Sequence, residues 1–484
     1  MKKLNFIIKC GLALLLLSFY SCESWLNVTP SDRLSEEMLF NDREGFVKAL
    51  NGVYIELNTN ELYGRNLTAG ALDVMGQYYS VASSSHAFYN YGGLVYTGND
   101  EKALFDNMWQ KCYAVIACCN TIIEKCDENK AGLSPVWRGA IKGEALALRA
   151  MLHFDMLRLF GPLTSELDKE SIPYQTNSDQ TVTPLLSGSE VVGLILDDLK
   201  NAVGLLKDTD PYFVEEEFSD TDLNYRRFRM NYFAAKGLMA RVQLWGGDKE
   251  KAAATAKEVI AEGQAEGAEF FPFVTNSEAT SSNPDRVFYS EVLFGTYHSS
   301  REKLHEDLFA PTLESTSILT LAGTARRDDL YDNENDYRYS VWSTYNKNGT
   351  SVLYHRKFEK QDNVTASRQY MIPLIRMSEM YLIAVECCKL DEASVYLNTF
   401  RNARNCNSLA LTEDNRINIL ANEYKKEMLG EGQLFFFYKR QEMVNIPDGN
   451  QATGTKNVEL AKYVVPLPES ETDQRISSTD ISNE

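Results

Sequence analysis

The chain has 484 residues, 44% of them hydrophobic and 11% aromatic, with 68 acidic against 49 basic side chains and a formal charge of −19. A surface that acidic repels nucleic acid and anionic head groups and argues against both as partners. The apolar content is ample for a packed core, and no Pro/Ser/Gly-rich linker divides the chain, which reads as one large domain with insertions.

At the amino terminus Lys2 and Lys3 precede an apolar run at 12–17, followed by Ser21 and Cys22. The apolar stretch is interrupted by Lys9 and is shorter than the roughly 18 residues that span a bilayer, so 1–21 reads as an export signal and the mature chain, 22–484, starts at Cys22. Losing Lys2, Lys3 and Lys9 takes the formal charge from −19 to −22. The cysteine resembles the lipobox of bacterial lipoproteins, although Phe19 and Tyr20 stand where aliphatic and small residues are usual; an ordinary signal peptide with an incidental cysteine is the alternative. Acyl chains at about 0.8 kcal/mol per buried methylene would hold the protein on a membrane it does not cross.

Helical periodicity dominates the chain beyond this segment. The spacing predicts helices over 35–58, 102–125, 141–160, 190–206, 232–245, 249–262, 374–389, 391–402 and 413–429. In the third of these Ala145, Leu148, Leu152, Met156 and Leu159 form one apolar stripe, with Lys142, Glu144, Arg149, His153 and Arg158 off it, and Gly161-Pro162 ends it. Cys112, Cys119 and Cys126 recur every seven residues along one helix face. Their axial separation of about 10 Å excludes a shared zinc, so they read as core, as do the pairs Cys118-Cys119 and Cys387-Cys388.

The segments 232–260 and 374–400 are both helix hairpins with small alanines after the turn, and 103–160 is a third. Such hairpins bury their second faces by stacking, as in tetratricopeptide-like arrays. The predicted fold is therefore mainly α, a hairpin scaffold over about 35–264 and 370–430. Glycine- and tyrosine-rich loops at 68–100 and a loop and β insertion at 265–369 interrupt it. The acidic run 208–222 reads as a solvated loop.

The run Pro373-Leu374-Ile375-Arg376-Met377-Ser378-Glu379-Met380-Tyr381-Leu382-Ile383-Ala384, followed by Glu392-Ala393, Leu397-Asn398, Arg401 and Arg404, resembles the signature of the SusD/RagB lipoproteins of Bacteroidetes. So do Trp25-Leu26-Asn27-Val28, Ala49-Leu50-Asn51-Gly52-Val53-Tyr54, Trp109 with Asn120, and the stretch from Glu144 to Phe160-Gly161-Pro162. The matches run through the whole chain to Pro466-Leu467-Pro468. Asn405-Cys406 departs from the usual Ala-Gly pair. The resemblance implies a lipid-anchored protein outside the outer membrane. It would close over a SusC-like, TonB-dependent barrel transporter and capture oligosaccharides for import; some relatives take peptides instead.

Catalytic motifs are missing: there is no HExxH, GxSxG or phosphate loop, and the five histidines show no metal-ligand spacing. A glycosidase needs only two carboxylates, which sequence cannot exclude. Glu379 and Glu386, near Arg376 and Arg401, and likewise Glu144 and Arg149, read as ion pairs between helices. No cofactor is expected beyond the lipid, and a structural calcium is left open. Sugar faces pack on aromatic rings while hydroxyls need fixed polar partners, so rings on irregular loops are the expected site. The candidates are Tyr78, Tyr79, Tyr89, Tyr91 and Tyr96 with Asp73, His86 and Asn90 as polar partners, and a second lip at Trp342, Tyr345 and Tyr354, with Trp342 expected to be exposed. The competing account is that several of these rings fill the gap between loop and scaffold.

Overall fold

The structure is a computed structural model that describes residues 36–473 and Arg475, apart from positions 180, 219–222, 224, 268 and 332. The signal segment, Cys22 and the words around Trp25 lie outside the described residues.

The scaffold is built from α1 (Arg43–Leu57), α2 (Asn99–Glu128), α3 (Pro135–Phe160), α4 (Gly188–Thr209), α5 (Tyr232–Trp245), α6 (Lys249–Gly263), α7 (Met377–Cys387), α8 (Leu390–Ala403), α9 (Arg416–Glu427) and α10 (Gln433–Arg440). From α2 to α8 each helix packs on its successor, α6 meeting α7 across the insertion. This is the tetratricopeptide-like stack the hairpins predict. Helix starts follow capping chemistry: Ser134 accepts from Trp137 N ahead of Pro135, and Ser187 with Glu190 forms a reciprocal box at α4. Close approach of α3 and α4 depends on glycine. A Cβ at Gly139 would meet Thr209 at 2.6 Å and one at Gly143 would meet Leu206 at 2.7 Å.

Several expectations are corrected. The helix over 35–58 is broken at 40–42, where Asp42 caps α1 by accepting from Gly45 N. The start of the helix over 374–389 is instead the end of a strand, because Met371–Arg376 is buried on both sides, as only a covered strand or core segment is. The α3 positions off the apolar stripe, Glu144, Arg149, His153 and Arg158, are buried too, since α1, α2 and α4 surround the helix, and of the five Lys142 reaches the surface. Asp210 in the acidic run is fully buried against Arg226, at 2.7 and 2.9 Å.

Helix-borne acids do form ion pairs between elements, with partners that differ from those nearest in sequence. Glu379 binds Arg241, Glu386 binds Arg440, Glu144 binds Arg226 and Arg229, and Arg149 binds Asp198. Arg376 pairs with Glu427 and Glu431, and Arg401 with Glu423.

Strands form two-stranded antiparallel pairs: β1 (Glu170–Pro173) with β2 (Leu185–Ser187), β3 (Val292–Tyr297) with β6 (Met371–Arg376), β4 (Trp342–Lys347) with β5 (Thr350–His355), and β7 (Asn445–Pro447) with β8 (Thr455–Asn457). No helix among the described residues is long and apolar enough to cross a membrane.

Cys112, Cys119 and Cys126 are buried, as the seven-residue spacing predicts, but Cys118 is exposed on the outer face of α2. Cys387 is half-buried, and burial pushes its thiol up to about 12. A maleimide is therefore expected to modify Cys118 alone in the folded chain lacking residues 1–22, and the other described thiols only after denaturation. More than one equivalent of label on native protein, read by mass, would contradict this packing.

Candidate functional site

The tyrosine-rich segment packs down onto the scaffold. Asp73 is fully buried on the short helix Ala71–Met75 and accepts from Gly430 N at 2.6 Å, Gly432 N at 2.9 Å and the Tyr79 hydroxyl at 3.2 Å. Tyr78 is buried and donates to Tyr424 O, while Tyr79 lies 5.8 Å from the Phe309 ring. Tyr91 is wedged between Phe88 and Phe105. His86 accepts from Phe88 N at Nδ1, so its Nε2–H donates to Ile318 O, and burial holds its pKa below the usual value. Tyr96, half-buried, donates to Lys462 O at 2.8 Å.

Asp73, Tyr78, Tyr79, His86 and Tyr91 are thus packing groups between loop and scaffold. A tyrosine whose hydroxyl finds a carbonyl is inexpensive to bury, in keeping with the competing account that several of these rings fill the gap between loop and scaffold. Of the predicted tyrosines in this loop, Tyr89 is exposed, at 43%.

The hairpin β4–β5 sorts its aromatics by strand alternation. Trp342 points inward with its cross-strand neighbour His355, ring centroids 5.2 Å apart, and is only 5% exposed, contrary to expectation. Its polar flanking residues are no sign of exposure, because in a strand they occupy the opposite face. Tyr345 is on that outward face, 45% exposed, and Tyr354 beside it is half-buried.

The two predicted lips border one segment, 312–320. Ala87 N donates to Thr316 O and Ser80 N to Thr320 O, while Lys347 Nζ donates to Thr312 O and Leu313 O.

A larger concavity, of about 490 Å³, lies where the sequence gives no expectation of a site. Its walls come from α1 (Asn51, Tyr54, Asn58), the turn before α5 (Tyr225, Phe228, Arg229) and the end of β3 (Thr296, Tyr297). Strand β3 is buried on both faces from Val292 to Thr296 and reaches the surface at Tyr297, 42% exposed; Tyr225 is 62% exposed. Phe228 and Tyr370 each lie 5.2 Å from the Tyr297 ring, giving a continuous aromatic wall.

Behind that wall the polar groups are fixed. The Tyr54 hydroxyl donates to Glu144 at 2.7 Å and accepts from Met230 N at 2.8 Å; Arg229 lies over the Tyr54 ring and donates to Glu144 and to Asn51 Oδ1 at 2.7 Å. Three buried polar atoms of wall residues, Asn58 Oδ1, Arg229 Nη2 and Thr296 Oγ1, have no hydrogen-bond partner among the described residues. Apolar rings around a few immobile polar atoms suit a ligand with one hydrophobic face and many hydroxyls. Among the described residues that line the cleft there is no carboxylate. Among the described residues no cluster of three His, Cys, Asp or Glu could hold a metal ion. The signal in the sequence that points to this cleft is the short run Tyr225-Arg226-Arg227-Phe228 together with an aromatic ending the alternating strand.

Residues 24–244 match a family model described as starch-binding, associating with outer membrane, and residues 283–476 match one described as SusD family. A SusD-like protein P2 of Formosa agariphila is 23% identical over 526 residues, covering 96% of both chains. A SusD-like carbohydrate binding protein from Bacteroides vulgatus superposes with a TM-score of 0.69 at 21% identity, covering 89% of this chain and 96% of that one. A laminarin binding SusD-like protein does so with a TM-score of 0.64 at 17% identity, covering 89% and 97%. These structural likenesses carry the fold. With the two family models together spanning most of its length, the chain belongs to the SusD/RagB family.

Proposed function

We propose that this protein is a non-enzymatic glycan-binding lipoprotein. It is tethered to the outer membrane at Cys22 after removal of residues 1–21, and it passes oligosaccharides to a SusC-like, TonB-dependent transporter. The observation that carries the reading is the aromatic cleft at Tyr225, Phe228 and Tyr297, with immobile polar atoms behind it. Family membership and the laminarin binding of a protein of the same fold support a carbohydrate as cargo. The exposed Tyr89 and Tyr345, flanking segment 312–320, form a second surface on which a longer chain can rest.

Calorimetry of the chain lacking residues 1–22 against a glycan panel that includes laminarin tests this. Tyr297→Ala is expected to weaken binding about tenfold, the loss of roughly 1.4 kcal/mol of ring contact. Tyr225→Ala should do slightly less. If Tyr89→Ala and Tyr345→Ala weaken binding and Tyr297→Ala does not, the site is the loop-and-hairpin face; if no glycan binds, the reading fails.

A further inference from the structure

In a chain of formal charge −19, buried cations are expected to find acidic partners, and among the described residues Arg326 and Lys425, which share one pocket, do not. Arg326, 7% exposed in the short helix Thr324–Leu330, and Lys425, half-buried near the end of α9, both line a pocket of about 210 Å³. Neither side chain makes a hydrogen bond or an ion pair with any described residue. Gln77, Tyr78, Leu330 and Thr455 complete the walls, and the carboxylate among the lining residues is the exposed Asp329, which makes no ion pair with either cation. The Gln77 amide nitrogen donates to Met75 O and Gly92 O. Both cationic groups therefore face the pocket without a protein acceptor, and an entering anion would supply one.

We propose that this pocket binds an oxyanion carried on a small ring, the carboxylate of a uronic acid or the sulfate ester of a sulfated sugar. Arg326 supplies a planar fork of donors and Lys425 a second, point-like charge. The volume is under half that of the cleft at Tyr297 and suits a single charged ring. The pocket shares no lining residue with the cleft at Tyr297, so it is an independent site.

Protonation adds a signature. Burial first, then the Arg326 and Lys426 charges, push Lys425 down to about 8, with Asp329 pulling the other way. An arriving anion restores the charged form, so near pH 8 binding takes up protons from buffer.

The experiment is calorimetry of the chain lacking residues 1–22 with glucuronate, glucose 6-sulfate, inorganic sulfate and neutral glucose. Saturable binding of glucuronate or of glucose 6-sulfate, with glucose silent, is the expected result, and which of the two binds tells carboxylate from sulfate ester. Arg326→Gln and Lys425→Met should each weaken binding at least tenfold, while Tyr297→Ala leaves it unchanged. At pH 8 the heat should vary with buffer ionisation enthalpy in the parent chain and not in Lys425→Met. Should Arg326→Gln fail to fold, Lys425→Met and the buffer series decide alone. Failure of every anion to bind, binding by inorganic sulfate alone, or variants that melt and bind like the parent would overturn the proposal.

Discussion

Replacing Glu427 by Gln is expected to destabilise the fold by about 3–5 kcal/mol, the cost of breaking a buried ion pair from one side. The carboxylate is fully buried, and three guanidinium groups converge on it: Arg404 at 2.7 and 3.0 Å, Arg338 at 3.1 Å, and Arg376, whose Nη2 also holds the Glu427 carbonyl at 2.6 Å. These residues come from α8, the segment before β4, β6 and α9, so the cluster clamps the insertion to the helical stack. An amide in this place leaves three cations sharing Glu291, Glu423, Glu431 and Asp336.

The pH dependence has a definite sign. Despite burial, the surrounding arginines hold the Glu427 carboxyl well below the usual range, so only the unfolded chain takes up a proton as pH falls below about 4.3. Its contribution is complete above that pH and is lost as pH falls through the lower, folded value. Urea midpoints of parent and Glu427→Gln chains should be far apart at pH 7 and draw together towards pH 3. A difference under about 1 kcal/mol at pH 7 would contradict the clamp.

Legibility in the sequence depends on which signals are local. Periodicity and caps place α5 to the residue, and the Cys112, Cys119 and Cys126 spacing marks a buried stripe, because both depend only on neighbours one or two turns away. The charged positions of α3 carry no local sign of their partners, because a helix surrounded on all sides shows the same pattern as an amphipathic one when its off-stripe residues are ion-paired. Only the fold reveals that Asp198 answers Arg149 across 49 positions. Helix α10 escapes a periodicity reading, since Phe435, Phe436 and Phe437 make an apolar run without a helical period.

The site is less legible than the scaffold. Burial of a tyrosine depends on whether a remote carbonyl, such as Tyr424 O for Tyr78, sits at its hydroxyl. The cleft joins residues near positions 54, 228 and 297, a juxtaposition made by the packing of α1, the turn before α5 and the end of β3. No window of sequence contains it.

Asp73, read from sequence as a sugar partner, is expected to behave as a keystone. Its two oxygens cap the N–H groups of Gly430 and Gly432, both in left-handed backbone at φ of +80° and +69°. That turn joins α9 to α10, and a Cβ at Gly432 would meet Leu67 O at 2.3 Å, so the turn has no room to find other acceptors. Asp73→Ala leaves two buried donors unpaired, at about 1–3 kcal/mol each, and should lower stability by about 3 kcal/mol. Burial pushes the Asp73 carboxyl up to about 7 against the pull of those amides. The folded chain therefore holds a proton that the unfolded chain releases near pH 4, and the associated stability is present below that pH and fades as pH rises through about 7. The penalty of Asp73→Ala should be larger at about pH 5 than at about pH 8, the opposite trend to Glu427→Gln. Glycan affinity per folded molecule should be unchanged. An affinity loss without a fall in the denaturation midpoint would return Asp73 to the binding surface and would require the loop at 76–96 to lift from the scaffold.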